Sequence, residues 1–569
     1  MFDVLNQKSR LLVALFAAVA LLTITVASPA EAGKPKPDRG NGAENSQEVE
    51  LQILAINDFH GNIATSSSSF GGVGRADFLA ANIAAAEADA DNSIFVSAGD
   101  LIGASPLISA LFHDEPTIEA MNLMGLDING VGNHEFDEGA EELLRMANGG
   151  SHPIDGDLDG TPFDGADFEF LAANVIDDAT GNTLFAPYTV RNFQGVKVAF
   201  IGMTLEGTPS IVTQAGVAGL TFTDEIETVN ALVPQLQQQN IESIVVLLHE
   251  GGFSDGGQND CGSGLTGPVA DITRGLDEAV DIVIAGHTND EFICEIDGTW
   301  VTMADNRGRL FTDIDVTLNR VTKDMTVQAI NNVPNLQAGV TPDPTLSALI
   351  NEYEILSAPL ANAVIGTTTS DISRAGNDAG ESALGDIIAD AQLAATASPG
   401  TGDAVVAFMN PGGIRNDITF ASGGVEADGE FTFGEAFGTQ PFGNSLVTMT
   451  LTGAQIDALL EQQFDNPGPG GSRILQVSTG FAYSWDGTAP VGARVDESTI
   501  TINGAPISPT GEYRVTVNSF LADGGDNFTV LSDGTDRLGG EVDLDALVTY
   551  FGANSPVAPG PQDRITRTG

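Results

Sequence analysis

Four of the chain's six histidines stand in polar tips that directly follow apolar runs: His60 in "NDFHGN", His134 in "GNHEFD", His249 in "LLHEGG" and His287 in "AGHTND". Carboxylates share these tips. Asp58 precedes His60 by two residues, so alternation along an extended segment would put both side chains on one side. Asp100 closes "SIFVSAGD", and Asp137 follows His134 by three residues. Imidazoles, carboxylates and an amide carbonyl together suit zinc, manganese and related ions. Two such clusters sharing a carboxylate would hold two ions, able to generate hydroxide and clamp a phosphoryl oxygen. One histidine alone would be a satisfied loop residue; four at strand ends with two aspartates favour metal. His113 and His152 lack such settings and are expected to be structural or surface residues. "DGDLDG" from Asp155 resembles the start of a calcium loop, but Ala166 stands where the twelfth-position glutamate belongs, so an acidic surface turn is expected.

The elements that must carry these tips are legible. "ELQILAIND", "SIFVSAGD", "VKVAFIGMT", "SIVVLLHE" and "DIVIAGH" read as buried strands, and "RADFLAANIAAAEA" as a helix. Strands alternating with helices predict an α/β layered domain, whose ligands gather beyond the carboxyl ends of its strands. Its span is 48–338. A Pro-rich turn then leads into an amphipathic linker helix over 339–363. A second α/β unit over 364–569 has its own strands, among them "GDAVVAFMN", "SLVTMTLT" and "EYRVTVNSF". There "NPGGIRNDI" sets Asn410, Gly412, Gly413 and Arg415 in a turn after a strand, where glycines let amides approach an anion and an Arg grips phosphate or ribose oxygens. The alternative is a turn with a solvated Arg.

The totals bound the rest. A chain of 569 residues is too long for one core. Lys8 and Arg10, an apolar run from Leu11 to Ala27 and the Ala30-Glu31-Ala32 triplet read as a signal peptide over 1–32, followed by a flexible lead-in over 33–47. The chain is therefore expected to be exported, to periplasm or medium, with no membrane span once the signal is removed. The balance of 22 basic and 78 acidic residues gives −56. That acidity predicts a solvated surface rather than a cationic partner, and it argues against binding nucleic-acid polymers. Cys261 and Cys294 are expected to pair in an oxidising compartment; the alternative is two buried thiols.

In this order, "NDFHGN", "SAGDLIGASP", "GNHEFDEG", "HEGG" and "AGHT" resemble the calcineurin-like metallophosphoesterase signature, and "GNHEFD" resembles the 5′-nucleotidase family with its UDP-sugar hydrolases. The resemblance covers roughly residues 50 to 565. It implies a four-layer α/β/β/α catalytic domain joined by the linker helix to a substrate-binding domain that rotates against it. Two divalent ions (zinc, manganese, magnesium or cobalt) are implied. Asp58 and His60 would hold the first, Asp100 would bridge, and Asn133, His249 and His287 would hold the second. His134 would be catalytic, stabilising the transferring phosphoryl group or protonating the leaving oxygen, with Asp137 orienting it. Asn289 stands where the family has His or Gln; it is kept as a first-metal ligand with a shorter reach. Phe442 and Phe520 would sandwich a base, with Asn444 beside them, Asp526 accepting from ribose hydroxyls and Gly480 lining the same pocket. Asp386 in "LGD" replaces a basic or amide residue of relatives, and Arg374 is a candidate to restore that charge.

The reaction implied is hydrolysis of nucleoside 5′-phosphates by a metal-activated water. Alternatives on the same scaffold are 2′,3′-cyclic nucleotides, UDP-sugars and nucleotide polyphosphates. A thiosulfate-ester hydrolase and a non-catalytic nucleotide-binding module are more distant.

Overall fold

A computed structural model describes residues 47–213, 215–466, 468 and 470–569; the expected signal peptide and all but the last residue of the lead-in lie outside them. Two six-stranded sheets form the centre of the first domain. One runs in the order Met325–Pro334, Leu310–Asn319, Glu48–Ile56, Ser93–Ser97, Ile128–Gly130, Glu169–Leu171. The other runs Glu291–Ile296, Thr299–Ala304, Ile282–Ala285, Ser243–His249, Val196–Thr204, Tyr188–Phe193. The four strands Glu48–Ile56 to Glu169–Leu171 are parallel neighbours, as are Val196–Thr204, Ser243–His249, Ile282–Ala285 and Thr299–Ala304.

Period-two alternation builds the layers. Ile53 and Ala55 point between the sheets with Val245, Leu247, Ile282 and Ile284, while Leu54 and Ile56 point outward. The outer face of the first sheet is covered by the helices Ala76–Glu87, Glu115–Met124 and Ala140–Asn148. The outer face of the second is covered by Glu225–Gln237 and Pro268–Gly275. The architecture is thus the four-layer α/β/β/α arrangement. Strands buried on both faces read as continuous apolar runs, which explains their clarity in the sequence.

The helix Pro344–Ala361 leaves this domain, capped by Asp343, whose carboxylate accepts from the Thr345 and Leu346 amides. Leu346 and Ile350 pack into the first domain's core. The second domain holds a five-stranded sheet in the order Gln476–Val477, Val406–Met409, Glu512–Asn518, Ser445–Thr452, Thr535–Val542, flanked by the helices Ala383–Thr396, Gly453–Glu461 and Asp543–Asn554. Leu107 of the first domain joins one of its core clusters, so the two units are in contact. Cys261 and Cys294 form a disulfide that ties the loop after His249 to the strand Glu291–Ile296. No helix among the described residues is long and apolar enough to cross a membrane.

Candidate active site at the domain interface

Every candidate ligand loop leaves the carboxyl end of a parallel strand. Asp58 and His60 follow Glu48–Ile56, Asp100 follows Ser93–Ser97, Asn133 and His134 follow Ile128–Gly130, His249 ends its strand and His287 follows Ile282–Ala285. Asp58, His60, Asp100, His287 and Asn289 all have positive φ. The expected extended alternation of Asp58 and His60 is therefore replaced by a left-handed turn; their side chains converge because the backbone curls, with His60 Nε2 3.9 Å from Asp58 Oδ1. Left-handed non-glycine residues are uncommon, and clustering at one site marks strain held by the surrounding fold.

Asp100 is the centre. Its Oδ2 lies 3.8 Å from His60 Nε2 and 3.0 Å from His249 Nε2, and its Oδ1 accepts from the His134 amide at 2.8 Å. Two overlapping sets result, Asp58–His60–Asp100 and Asp100–His249–His287, each with ligand atoms within 4.8 Å of one another. Asn133 Oδ1 lies 2.9 Å from His287 Nδ1. Asn289 turns its amide nitrogen to the His287 carbonyl at 3.0 Å, leaving its Oδ1 as the atom it could offer.

These residues fit divalent ions for an electrostatic reason. His60 Nδ1 lies 2.9 Å from the Gly103 carbonyl and His249 Nδ1 2.7 Å from the Ala98 carbonyl. A ring that gives its Nδ1 hydrogen to a carbonyl presents a lone pair at Nε2, here aimed at a buried carboxylate. Only a proton or a cation between them relieves that opposition. Burial opposes a charge on His249, but Asp100 outweighs it and pushes the ring up to about 10. Burial and the His249 charge push His287 down to about 3, and burial drives His60 well below its ordinary value. Burial raises Asp58 to about 6, while Asp100 is held below the usual carboxylate range because His249 and His134 outweigh its burial.

Glu135, which sequence reasoning passed over, holds the loops in place. It is 2% exposed; its carboxylate accepts from the amides of Asp100 at 3.0 Å, Leu101 at 2.9 Å and Gly132 at 2.8 Å. Its signal was there: an acidic residue inside a motif otherwise assigned to chemistry. Gly132 is required beside it, since a Cβ there would lie 2.3 Å from Asp100 Oδ1.

His134 stands apart from the ligand set. Its Nδ1 lies 2.8 Å from Asp137 Oδ2. Burial opposes its protonation, but Asp137 and Asp100 outweigh that and leave its pKa raised. Its ring stacks on Phe442 of the second domain, centroids 5.7 Å apart at 15°. Arg415 lies over the same Phe442 ring, 5.8 Å from its centroid.

A cavity of about 160 Å³ occupies this junction. Asn133, His134, Asp137 and His287 line one side of it; Asn410, Gly412, Gly413, Arg415, Phe442, Asn444, Phe520 and Asp526 line the other. Five lining residues were missed: Ile211, Val212 and Thr213 of the first domain, and Arg473 and Asn518 of the second. Arg473 binds Asp526 Oδ1 at 2.7 Å, and Asn518 donates to Asn410 Oδ1 at 3.0 Å while Asn410 donates to Asp526 Oδ2 at 2.8 Å. Arg473 follows the Gly- and Pro-rich stretch "DNPGPGGS", which carries no chemical pattern of its own.

Two expected pocket residues are not brought to the cavity wall. Gly480 lies in a turn against Asn503, whose amide donates to the Gly480 carbonyl at 2.7 Å. Its positive φ explains the glycine as a turn residue. Arg374 donates to the Ile414 carbonyl at 3.1 Å, close enough for its charge to depress the Arg415 pKa, behind burial as the main cause. Asp386 sits elsewhere: its Oδ2 lies 3.7 Å from Arg564 Nε, beside a separate cavity of about 270 Å³ in the second domain. It leaves no gap in the cleft for Arg374 to fill. Arg307, unmarked in the sequence, is half-buried near Arg415 and pushed down to about 10 by desolvation and by Arg415, Arg309 and Arg374.

Comparison with known proteins agrees with this geometry. A family model described as calcineurin-like phosphoesterase matches residues 51–290, and one described as 5′-nucleotidase, C-terminal domain, matches 364–533. Endonuclease YhcR of Bacillus subtilis is 33% identical over 91% of this chain, which spans only 41% of that protein. Cell wall protein Lmo0130 of Listeria monocytogenes is 32% identical over 91% of this chain and 69% of its own length. The crystal structure of a 5′-nucleotidase precursor from Thermus thermophilus superposes with a TM-score of 0.74 at 25% identity, covering 91% of this chain and 99% of that one. The chain belongs to the 5′-nucleotidase family of calcineurin-like metallophosphoesterases, metal-dependent phosphoester hydrolases.

Proposed function

We propose that this chain is an exported 5′-nucleotidase that releases phosphate from nucleoside 5′-phosphates. The observation that carries the reading is one cavity with His134 and the ligand loops on one wall and Phe442, Phe520 and Arg415 on the other. A nucleotide has the same polarity: an anionic end for the first wall and a stacking base for the second. Asp58, His60, Asp100, Asn133, His249 and His287, with Asn289, would hold two divalent ions, which supply Lewis-acid charge and an acidified water when bound.

The remaining steps belong to the chain's own groups. Asp137 fixes the His134 ring and favours its cationic form, so the opposite nitrogen can donate to a phosphoryl oxygen or to the departing oxygen. Arg415 in its glycine turn grips phosphate or ribose oxygens. Phe442 and Phe520 stack the base, which tolerates any base identity. Asp526 keeps lone pairs free beyond its Arg473 and Asn410 bonds and accepts from ribose hydroxyls. A second reading, a nucleoside diphosphate or UDP-sugar as substrate, is favoured by Arg307 and Arg374 behind Arg415, more positive charge than one phosphate requires.

A phosphate-release panel of AMP, ATP, UDP-glucose and cyclic nucleotides, with and without chelator, tests both. AMP turnover that chelator abolishes is expected. Turnover of UDP-glucose but not AMP would select the second reading, and binding without turnover of any ester would leave only a nucleotide-binding module.

A further inference from the structure

The two histidines outside the cleft meet each other. His113 precedes the helix Glu115–Met124 and His152 follows Ala140–Asn148, yet their rings stack with centroids 3.7 Å apart at 14°. All six histidines of the chain therefore fall into two clusters; of the expected alternatives for these two, structural or surface, their low exposure favours the structural one. Glu138 and Glu142 flank the pair. His113 Nδ1 lies 2.8 Å from Glu138 Oε2, and His152 Nε2 lies 4.0 Å from Glu142 Oε2. The His113 and His152 side chains are 1% and 10% exposed.

We infer that His113, His152, Glu138 and Glu142, none of which lines the cavity, form a further divalent-cation site of the zinc class in the first domain. One ligand atom from each lies within 4.8 Å of the others. Two nitrogens and two oxygens are a donor set that zinc accepts in four-coordinate sites.

The surroundings match the second layer that such sites carry. Asp155 lies on the far side of both rings, its Oδ2 3.3 Å from His113 Nε2 and 3.6 Å from His152 Nδ1. A carboxylate behind a ligating imidazole orients the ring and raises its basicity. The Asp155 amide donates to His152 Nδ1 at 3.1 Å, which puts the neutral ring's proton on Nε2. A cation taking Nε2 moves that proton to Nδ1, which gives up the bond from the Asp155 amide and leaves Nδ1–H facing the Asp155 carboxylate 3.6 Å away. Arg145 fixes Glu142 through both carboxylate oxygens and also binds Glu115. Glu115, Glu138, Glu142 and Asp155 against the single charge of Arg145 leave a net −3 when the rings are neutral, which a divalent ion offsets. The acidic turn "DGDLDG", unexplained by the catalytic reading, supplies Asp155 and so gains a role here.

Such an ion would staple two loops of the catalytic site. Glu138 follows Asp137, the partner of His134. His113 precedes Asp114, whose Oδ2 accepts from the Gly103 amide at 3.0 Å, and the Gly103 carbonyl lies 2.9 Å from His60 Nδ1.

The test is zinc content per chain by elemental analysis after saturation with zinc and desalting. The double variant His113→Ala/His152→Ala is expected to hold one zinc fewer than wild type. A chain carrying Asp58→Asn and His249→Ala is expected to keep one, which separates this site from the proposed catalytic ions. Glu138→Gln, at a side chain 39% exposed, guards against a misfolded double variant: its circular dichroism should match wild type while a competing chelator removes one zinc about 10-fold or more readily. Equal zinc content in wild type and the folded histidine variant, or no change in chelator competition for Glu138→Gln, overturns the inference, whatever the phosphate panel shows.

Discussion

The two walls of the interdomain cavity are built on different principles. The first-domain wall is backbone-determined: its ligands sit at parallel strand ends, five of the seven on residues of positive φ, with the loops tied by buried carboxylates such as Glu135. The second-domain wall is side-chain-determined: Phe442 and Arg415 reach in from loops and Phe520 from the short helix Ser519–Ala522, beside a polar chain that runs from Asn518 through Asn410 and Asp526 to Arg473. The first arrangement suits chemistry that must not shift by an ångström. The second suits recognition by stacking and charge, which tolerates small movements.

If that contrast is sound, damage to the first wall should fall on turnover and damage to the second on substrate affinity. The largest effect is expected from His134→Ala: kcat should drop by about 10²–10⁴-fold, the range of a general acid or charge stabiliser, with the catalytic metal content by elemental analysis unchanged. Loss of metal together with activity would make His134 a ligand and break the division of labour. Asp137→Asn should cost less, about 10–100-fold in kcat, but its pH profile is sharper evidence. Asp137 raises the His134 pKa, so protonated His134 is present below that pKa and lost as pH climbs through it. Without Asp137 the loss comes earlier, and the falling limb of kcat against pH should move to lower pH. A limb that stays put would mean that another group titrates.

On the second wall, Phe442→Ala is expected to raise KM by about 5–150-fold, the equivalent of one stacking contact, with a smaller change in kcat. Because Phe442 also packs on His134, an equal fall in kcat would blur the two walls into one. The smallest effect is expected from Arg473→Ala, a few-fold in KM, since it frees Asp526 of one partner without removing the acceptor; measuring AMP against its 2′-deoxy analogue should show whether discrimination at the ribose weakens.

The same contrast governs what could be read in advance. The ligand tips were legible because doubly buried strands are unbroken apolar runs, and the polar residues ending them stand out. The local part of the second wall, Asn410 to Arg415 after its strand, was legible for the same reason. Gly480 and Arg374 were not, because a residue's place on a cavity wall depends on packing between segments far apart in sequence. Gly480 answers a turn's need for positive φ, and Asp386 an ion pair with Arg564 178 positions away. Glu135 stands inside the motif, but its work is not local: its carboxylate ties its own loop to the Asp100 and Leu101 amides, 35 and 34 positions earlier.

By itself the sequence determined the layered α/β class and the order of the ligand loops, because periodicity and strand termini are local properties of the chain. Tertiary structure alone decided which lone pairs face Asp100, which second-domain rings reach His134, and that His113 and His152, 39 positions apart, stack on one another. Those are meetings across long loops, and their geometry is fixed by the packing of whole layers rather than by any stretch of residues.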